Sequence, residues 1–465
     1  MLTYLLNIAF AIAATVLYIK APWTYSYDYC VTLMSCFIAQ NVLFFATNKR
    51  KHWLGFEFFF ALSFFLVNFV YPVFYAPTER IYWSFFSFAF NDNYVTRATA
   101  LAYFGYAWYM LGATRILQLR REEPSAPTFT ISIEQYLWFF GVTIVAWLLF
   151  VMTGGLAALQ SVYADGANLR DVGIYSYFNN IFTVGCYLMA IFVFRLPKQK
   201  WWFYLLVLLT FILLLLSTGS RQLVVGLGLI LVVVFSMYVY HLRWWQVAIM
   251  VAGGSVALFL VMQLRTEGMD FGAWQAKLAH LKLDEFWDIY EDLIINDVNL
   301  LRLYGWAQVH ELTWFQGLTL DIVSPVPGMA GYITSHSDVP AYMLSGGELP
   351  TYLFLGPKAT WGTGTNMIGE AYRSFGAVGT AIAMFLIGLW VKESYYRANN
   401  SVYWYLMYFL LVGHALIYPR APLLFDPRLV TWSLLLLFII MTITAHQTQI
   451  VRWLNSLGKR KEEAQ

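Results

Sequence analysis

Charge is scarce in this chain. Only 12% of its 465 residues are charged, while 60% are hydrophobic. Soluble domains carry about twice that share of charge, so a set of water-facing domains is excluded despite the length. The apolar residues come in blocks close to twenty long, enough helix to cross a bilayer core of about 30 Å. Because the blocks are continuously apolar and do not alternate, a membrane β-barrel is excluded too. Cysteine is nearly absent: Cys30, Cys36 and Cys186 lie inside apolar runs, with no CxxC pair, and read as inert, buried thiols. There is no Walker A loop and no GxGxxG, which argues against nucleotide-driven transport. No Asp-x-Asp occurs, so the usual metal site of nucleotide-sugar transferases is missing. The seven histidines are scattered without ligand spacing, which argues against zinc. The net charge of +3 carries little meaning in such a chain, where the placement of charge matters more than its sum.

What is present is an all-α polytopic membrane pattern. Twelve transmembrane helices are expected, near residues 2–19, 28–47, 54–75, 98–118, 132–152, 175–195, 201–218, 222–240, 246–263, 366–391, 402–418 and 429–447. The first run lacks a basic leader and a cleavage site and is expected to be a retained helix. With the N-terminus inside, the inner connections hold 16 Lys and Arg and the short outer connections 7. That bias places both termini in the cytoplasm. The expected division is 1–263 for spans one to nine, 264–365 for a periplasmic loop with amphipathic helices, 366–447 for spans ten to twelve and 448–465 for a cytoplasmic tail. Within the loop, residues 270–312 have apolar residues at helical spacing and are expected on the membrane surface. Residues 316–365, rich in Gly, Pro, Ser and Thr, read as irregular loop.

Arginines on the outer side run against the charge bias and are the informative residues. Arg221 stands in Ser217-Thr218-Gly219-Ser220-Arg221-Gln222, between two strongly apolar runs. It reads either as a snorkelling helix stop or as a functional cation. Arg265 follows the ninth span. Arg420 and Arg428 flank a turn stiffened by three prolines, where Asp426 is an alternative partner for Arg428. Four such guanidinium groups facing one aqueous pocket would form an anion site, since each can grip two phosphate oxygens. The tenth span opens with a Gly- and Thr-rich stretch, Gly362–Asn366, whose free N–H groups suit an anion. Glu370 and Arg373 follow on one helix face, as an intrahelical pair or as functional groups. His336, in Ser335-His336-Ser337-Asp338, is a solvated loop histidine or a general base.

These residues, in this order, resemble the Wzy-type polymerases of lipid-linked oligosaccharide repeat units, the O-antigen and enterobacterial common antigen polymerases. The resemblance runs through the Arg221 hairpin, Arg265, Phe315-Gln316-Gly317, Pro325-Val326-Pro327-Gly328, Gly369–Gly376 with Gly379, and the last outer turn with its arginines. It covers roughly residues 200–445; the first 200 match in hydropathy alone. It implies a GT-C-like helical fold, with one long periplasmic segment between spans nine and ten, in the bacterial inner membrane. It also implies a glycosyltransferase that needs no metal, nucleotide or other cofactor. Donor and acceptor would both be oligosaccharides on undecaprenyl diphosphate, among membrane lipids and with no nucleic acid. A chain-length regulator and a flippase are the candidate protein partners. Arg221, Arg265, Arg420, Arg428 and Arg373 would take the diphosphate, with Arg221 also catalytic, and Glu370 or His336 would serve as base, in that order. An O-antigen ligase, or a transporter of the lipid-linked unit, is the alternative. Reporter fusions at Asn48, Arg195 and Lys392 are expected to report cytoplasm, and a fusion at Ser345 the periplasm. A cytoplasmic Ser345 would overturn this topology.

Overall fold

The computed structural model describes residues 2–47, 52–77, 92–114, 127–155, 174–217, 221–264, 294, 296–359 and 362–462. Every regular element among them is helical. The first nine long helices are α1 (Leu2–Lys20), α2 (Tyr27–Thr47), α3 (Phe56–Asn68), α4 (Val95–Ala113), α5 (Ile133–Met152), α6 (Tyr175–Phe192), α7 (Lys198–Ser217), α8 (Arg221–Tyr238) and α9 (Trp244–Leu264). Four helices follow in the connecting segment: α10 (Asn296–Val309), α11 (Thr319–Val323), α12 (Met329–His336) and α13 (Glu348–Leu355). The chain ends with α14 (Met367–Arg397), α15 (Val402–His414) and α16 (Pro427–Glu462).

Seven helical stretches are long and apolar enough to cross a membrane: α1, α2, Phe56–Tyr75, α5, Tyr175–Arg195, α14 and Pro427–Gln447. Shorter apolar helices, Trp201–Ile212, Gln222–Tyr238, Trp244–Val256 and Val402–His414, fall where four more spans are expected. The remaining expected span coincides with α4, which is buried almost throughout, with α1, α2 and α14 around it. The chain is a multi-pass membrane protein.

Helix α4 packs closely on α14 because both present glycine at the crossing. A Cβ at Gly112 would overlap the Phe385 carbonyl, and one at Gly388 the Tyr109 carbonyl. Where lipid removes the hydrophobic drive for helix association, small residues that let backbones touch take its place. The crossing holds α14 against the rest of the bundle and thereby fixes its first turns.

Those first turns form a separate segment. Asn366 caps them, its Oδ1 accepting from the N–H groups of Ile368 at 3.0 Å and Gly369 at 3.3 Å, while its Nδ2 donates to Asn68 Oδ1 at 2.9 Å. Gly376, at φ 68° and ψ −170°, then breaks the helix, a conformation open to glycine. The freed carbonyl of Arg373 accepts from the N–H of Thr313 at 3.2 Å.

The bundle has two distinct ends. At one, Tyr238 donates to Asn399 Oδ1, Thr128 to the Asn399 carbonyl and Arg195 to the Phe129 carbonyl, and His52 lies against His241. These belong to or border connections expected on one side. At the other end lie the start of α14, the turn 418–426 and the segment 313–346. This segment is pinned down: Arg428 Nε donates to the Ser324 carbonyl at 2.9 Å, Trp432 Nε1 to the Pro325 carbonyl at 2.8 Å, and Gly328 N–H to Tyr177 Oη at 2.9 Å.

Two expectations about the connecting segment change. Residues 270–293 lie outside the described residues, but α10 is not a surface helix: Asn296 to Leu301, Leu303 and Tyr304 are buried, against α14, α3 and α4. Two of its polar residues pair inside, Asn299 Nδ2 donating to Asn296 Oδ1 at 3.1 Å and to the Thr363 carbonyl at 2.9 Å. The stretch 316–365 is a chain of short helices, not irregular loop. Two of its glycines stand at helix ends, Gly328 before α12 and Gly356 after α13, both at positive φ.

Candidate active site

A cavity of about 400 Å³ opens at the end that holds segment 313–346. Its walls come from α6, α8, α11, α15, α16 and the turn before α16. Asn179, Asn180 and Gln222 supply amides, Asp321 and Asp426 carboxylates, and Arg428 a guanidinium, while Tyr187, Phe425 and Trp432 add aromatic faces. His414 also lines it, its ring 5.5 Å from that of Tyr187. Apolar and aromatic walls with a few convergent polar groups are the usual character of a ligand site.

The two acids in this wall differ. Asp426 is committed to structure, its Oδ1 accepting from the N–H of Leu429 at 3.1 Å to cap α16. Asp321 Oδ2 is buried and meets no hydrogen-bond partner among the described residues. Burial pushes its carboxyl up to about 6, helped by the nearby charges of Asp426 and Glu348 and opposed by the Gly346 N–H bond and Arg373. Loss of hydration disfavours the charged form, and like charges add to that.

Behind Asp321 lie Glu370 and Arg373, both at 0% exposure. Glu370 Oε2 accepts from the N–H of Leu423 at 2.5 Å, and its Oε1 has no hydrogen-bond partner among the described residues. The same holds for all three guanidinium nitrogens of Arg373, which stands in the field of both carboxylates. Two glycines make room for this group. A Cβ at Gly317 would overlap Arg373 Nη2, and one at Gly346 would overlap the Glu370 carboxylate.

Arg428 lines the cavity and bonds to Ser324, without the ion pair to Asp426 that was open from the sequence. Arg420 is half-buried, and its carbonyl accepts from Thr365 N–H at 3.3 Å. Arg221 opens α8 next to the cavity residue Gln222; its side chain lies outside the described part. Arg265 lies outside the described residues. His336 is exposed, its ring 4.3 Å from that of Tyr332 and its Nδ1 2.9 Å from the Tyr332 carbonyl, and it does not line the cavity. The structure thus brings Arg428, Asp321 and His414 together with Gln222, sets Glu370 and Arg373 behind Asp321, and leaves His336 apart.

Residues 343–448 match the family model described as O-antigen polysaccharide polymerase Wzy. The resemblance to Wzy-type polymerases stands over this stretch. No curated protein and no solved structure gives a match. The matched stretch carries Glu370, Arg373, His414, Arg420, Asp426 and Arg428, most of the charged groups of the site. It supports a glycosyltransferase-type polymerase that acts on lipid-linked oligosaccharide units.

The sequence reading did not single out Asp321, Asn179, Asn180 or His414. His414 had a usable signal, because an ionisable group inside an apolar run is a functional candidate by default. Asp321 stood between two of the motifs, Phe315-Gln316-Gly317 and Pro325-Val326-Pro327-Gly328, without a partner in the chain to mark it. Ala at Gly317 or Gly346 is expected to push Arg373 or Glu370 out of place, costing about 1–3 kcal/mol of stability and most of the polymer yield. Gly347→Ala, which meets open space, is expected to change neither. Thermal melting and product length on gels check this, and wild-type polymer from both Gly317→Ala and Gly346→Ala would refute the packing argument.

Proposed function

We propose that this protein polymerises oligosaccharide repeat units carried on undecaprenyl diphosphate, as O-antigen or a related surface polysaccharide. It works from the bacterial inner membrane through twelve spans in a GT-C-like fold, with both termini cytoplasmic and the cavity facing the periplasm. In this reading residues 1–263 and 366–447 hold the spans, 264–365 form the periplasmic segment and 448–465 the tail. The growing glycan leaves its lipid diphosphate and joins the non-reducing end of an incoming lipid-linked unit.

One observation carries the reading: a guanidinium, amides and aromatic faces line one cavity at the end of the bundle, within and beside the stretch that matches the polymerase family. A sugar ring suits such walls, with apolar faces for its C–H groups and amides for its hydroxyls. In the transfer the acceptor oxygen bonds to the anomeric carbon as the bond from that carbon to the diphosphate oxygen breaks. The electron pair leaves on the diphosphate, and preset cations are what that developing charge requires. Arg428 is the first of these, with Arg221, Arg265 and Arg420 completing the diphosphate site and Arg373 supporting it from behind. A guanidinium set takes the role that a metal has in nucleotide-sugar transferases. A chain-length regulator and a flippase complete the pathway as partners.

Purified protein given lipid-linked repeat units is expected to build a glycan ladder in EDTA, without ATP or nucleotide sugar. Complete loss in EDTA, restored by Mg²⁺ or Mn²⁺, would count against this scheme. Arg428→Lys keeps the charge but loses the two-pronged grip, and is expected to slow polymerisation about ten- to a hundredfold; Arg221→Lys is expected to do the same. Arg97 serves as the control. Its guanidinium lies over the Trp23 ring and its Nε donates to the Ala21 carbonyl, so Arg97→Ala is expected to cost stability but leave chain length unchanged.

A further inference from the structure

A transfer of this kind needs a group to take the proton of the attacking hydroxyl, and neither candidate named from the sequence lines the cavity. His336 is exposed and engaged with Tyr332. Glu370 is enclosed, with one oxygen held by Leu423. Of the two acids in the wall, Asp426 caps a helix. Asp321 remains: it lines the cavity and is partly exposed, and its buried Oδ2 meets no hydrogen-bond partner among the described residues.

Building on the polymerase reading, we propose that Asp321 is the general base, accepting the proton from the non-reducing-end hydroxyl of the incoming lipid-linked sugar. Two features place it. It faces the same cavity as Arg428, so base and leaving-group cation share one chamber. The short helix that carries it is also tied at both ends. Leu320 N–H donates to the Leu344 carbonyl at 3.0 Å, and Ser324, three residues on, is bonded by Arg428. In the step, the hydroxyl proton passes to an Asp321 carboxylate oxygen. The oxygen's electron pair forms the bond to the anomeric carbon, and the old bond's pair departs on the lipid diphosphate. Asp321 then returns the proton to water. Glu370 and Arg373 act through Asp321 as positioning residues: the guanidinium favours the carboxylate form, and the neighbouring acid resists it.

The charged and titratable groups around Asp321 are Arg373 and Glu370 of α14, Glu348 at the head of α13, Asp426 and Arg428 at the head of α16, and His414 of α15 across the cavity. Burial raises Asp321 to about 6. A base must be unprotonated, so kcat/KM is expected to be level above that pH and to fall about tenfold per unit below it.

The test uses the full-length protein in detergent with a lipid-linked repeat unit, reading kcat and KM across pH 4.5–8.5 (roughly the span of carboxylate and imidazole titration). Asp321→Asn keeps the size of the side chain and removes its basic carboxylate. It is expected to lower kcat about 10²- to 10⁴-fold, leave KM within about threefold, and remove the acid limb. Asp321→Glu is expected to restore part of kcat with the limb displaced. Asp321→Asn at wild-type kcat, or a loss carried by KM with the limb intact, would overturn the role of Asp321 and leave the polymerase reading standing. Should Asp321→Asn fail to fold, a wild-type profile with no acid limb anywhere between roughly pH 4.5 and 8.5 would overturn the proposal just as well. A wild-type protein that forms no glycan ladder removes the polymerase reading, and the proton step with it.

Discussion

A guanidinium cut off from water must be compensated by nearby negative charge, or its burial costs several kcal/mol. Arg373 is such a group, and much of this end of the protein is arranged around it. The Glu370 carboxylate is its neighbour on the same short helix, and Asp321 reaches toward it from the connecting segment. Gly317 and Gly346 leave room where any other residue would intrude. The helix bearing Arg373 ends at Gly376, which frees the Arg373 carbonyl to hold Thr313 and with it the start of the segment that closes over the site. One buried cation thus ties α14, the connecting segment and the turn at Leu423 into a single unit.

That unit explains how a bundle of apolar helices comes to hold a polar chamber. The close crossing of α4 and α14, glycine against carbonyl, gives α14 a rigid seat. From that seat its first turns carry charge into the interior, capped by Asn366 and braced by Asn68. The chamber wall then needs few further devices. Asp426 starts α16 as its cap, and Arg428 and Trp432, in the first turns of that helix, fasten the segment above. In the proposed reaction the same wall supplies a cation for the departing diphosphate and a carboxylate for the attacking hydroxyl.

The helices were legible from sequence because a continuous apolar block has few folds open to it, and the position of each expected span carries a helix. Arg428, which lines the chamber, could be noticed from sequence because charge in that turn ran against the expected bias of the chain. Asp321 was not. Its significance comes from α6, α15 and α16 meeting beside it, and those helices are far apart in the chain. Helix α10 misled for another reason: apolar residues at helical spacing over 270–312 suggested a helix with one wet face, whereas Asn296 and Asn299 find partners inside. Gly317 could be noticed as part of a motif. That it stands where Arg373 needs room is a fact of three dimensions.

The bond from Arg428 Nε to the Ser324 carbonyl has a thermodynamic meaning of its own. A free arginine gives up about 2 kcal/mol of rotamer entropy when it is immobilised. Here Nε is engaged before a ligand arrives, on a side chain that lines the chamber, so in the proposed site less of that loss falls on binding. The same bond makes the side chain a clasp. An anion drawing the guanidinium inward pulls on Ser324, and any shift of the overlying segment re-aims the fork. Occupancy of the chamber and seating of its roof are therefore linked quantities, each altering the other's free energy by the same amount.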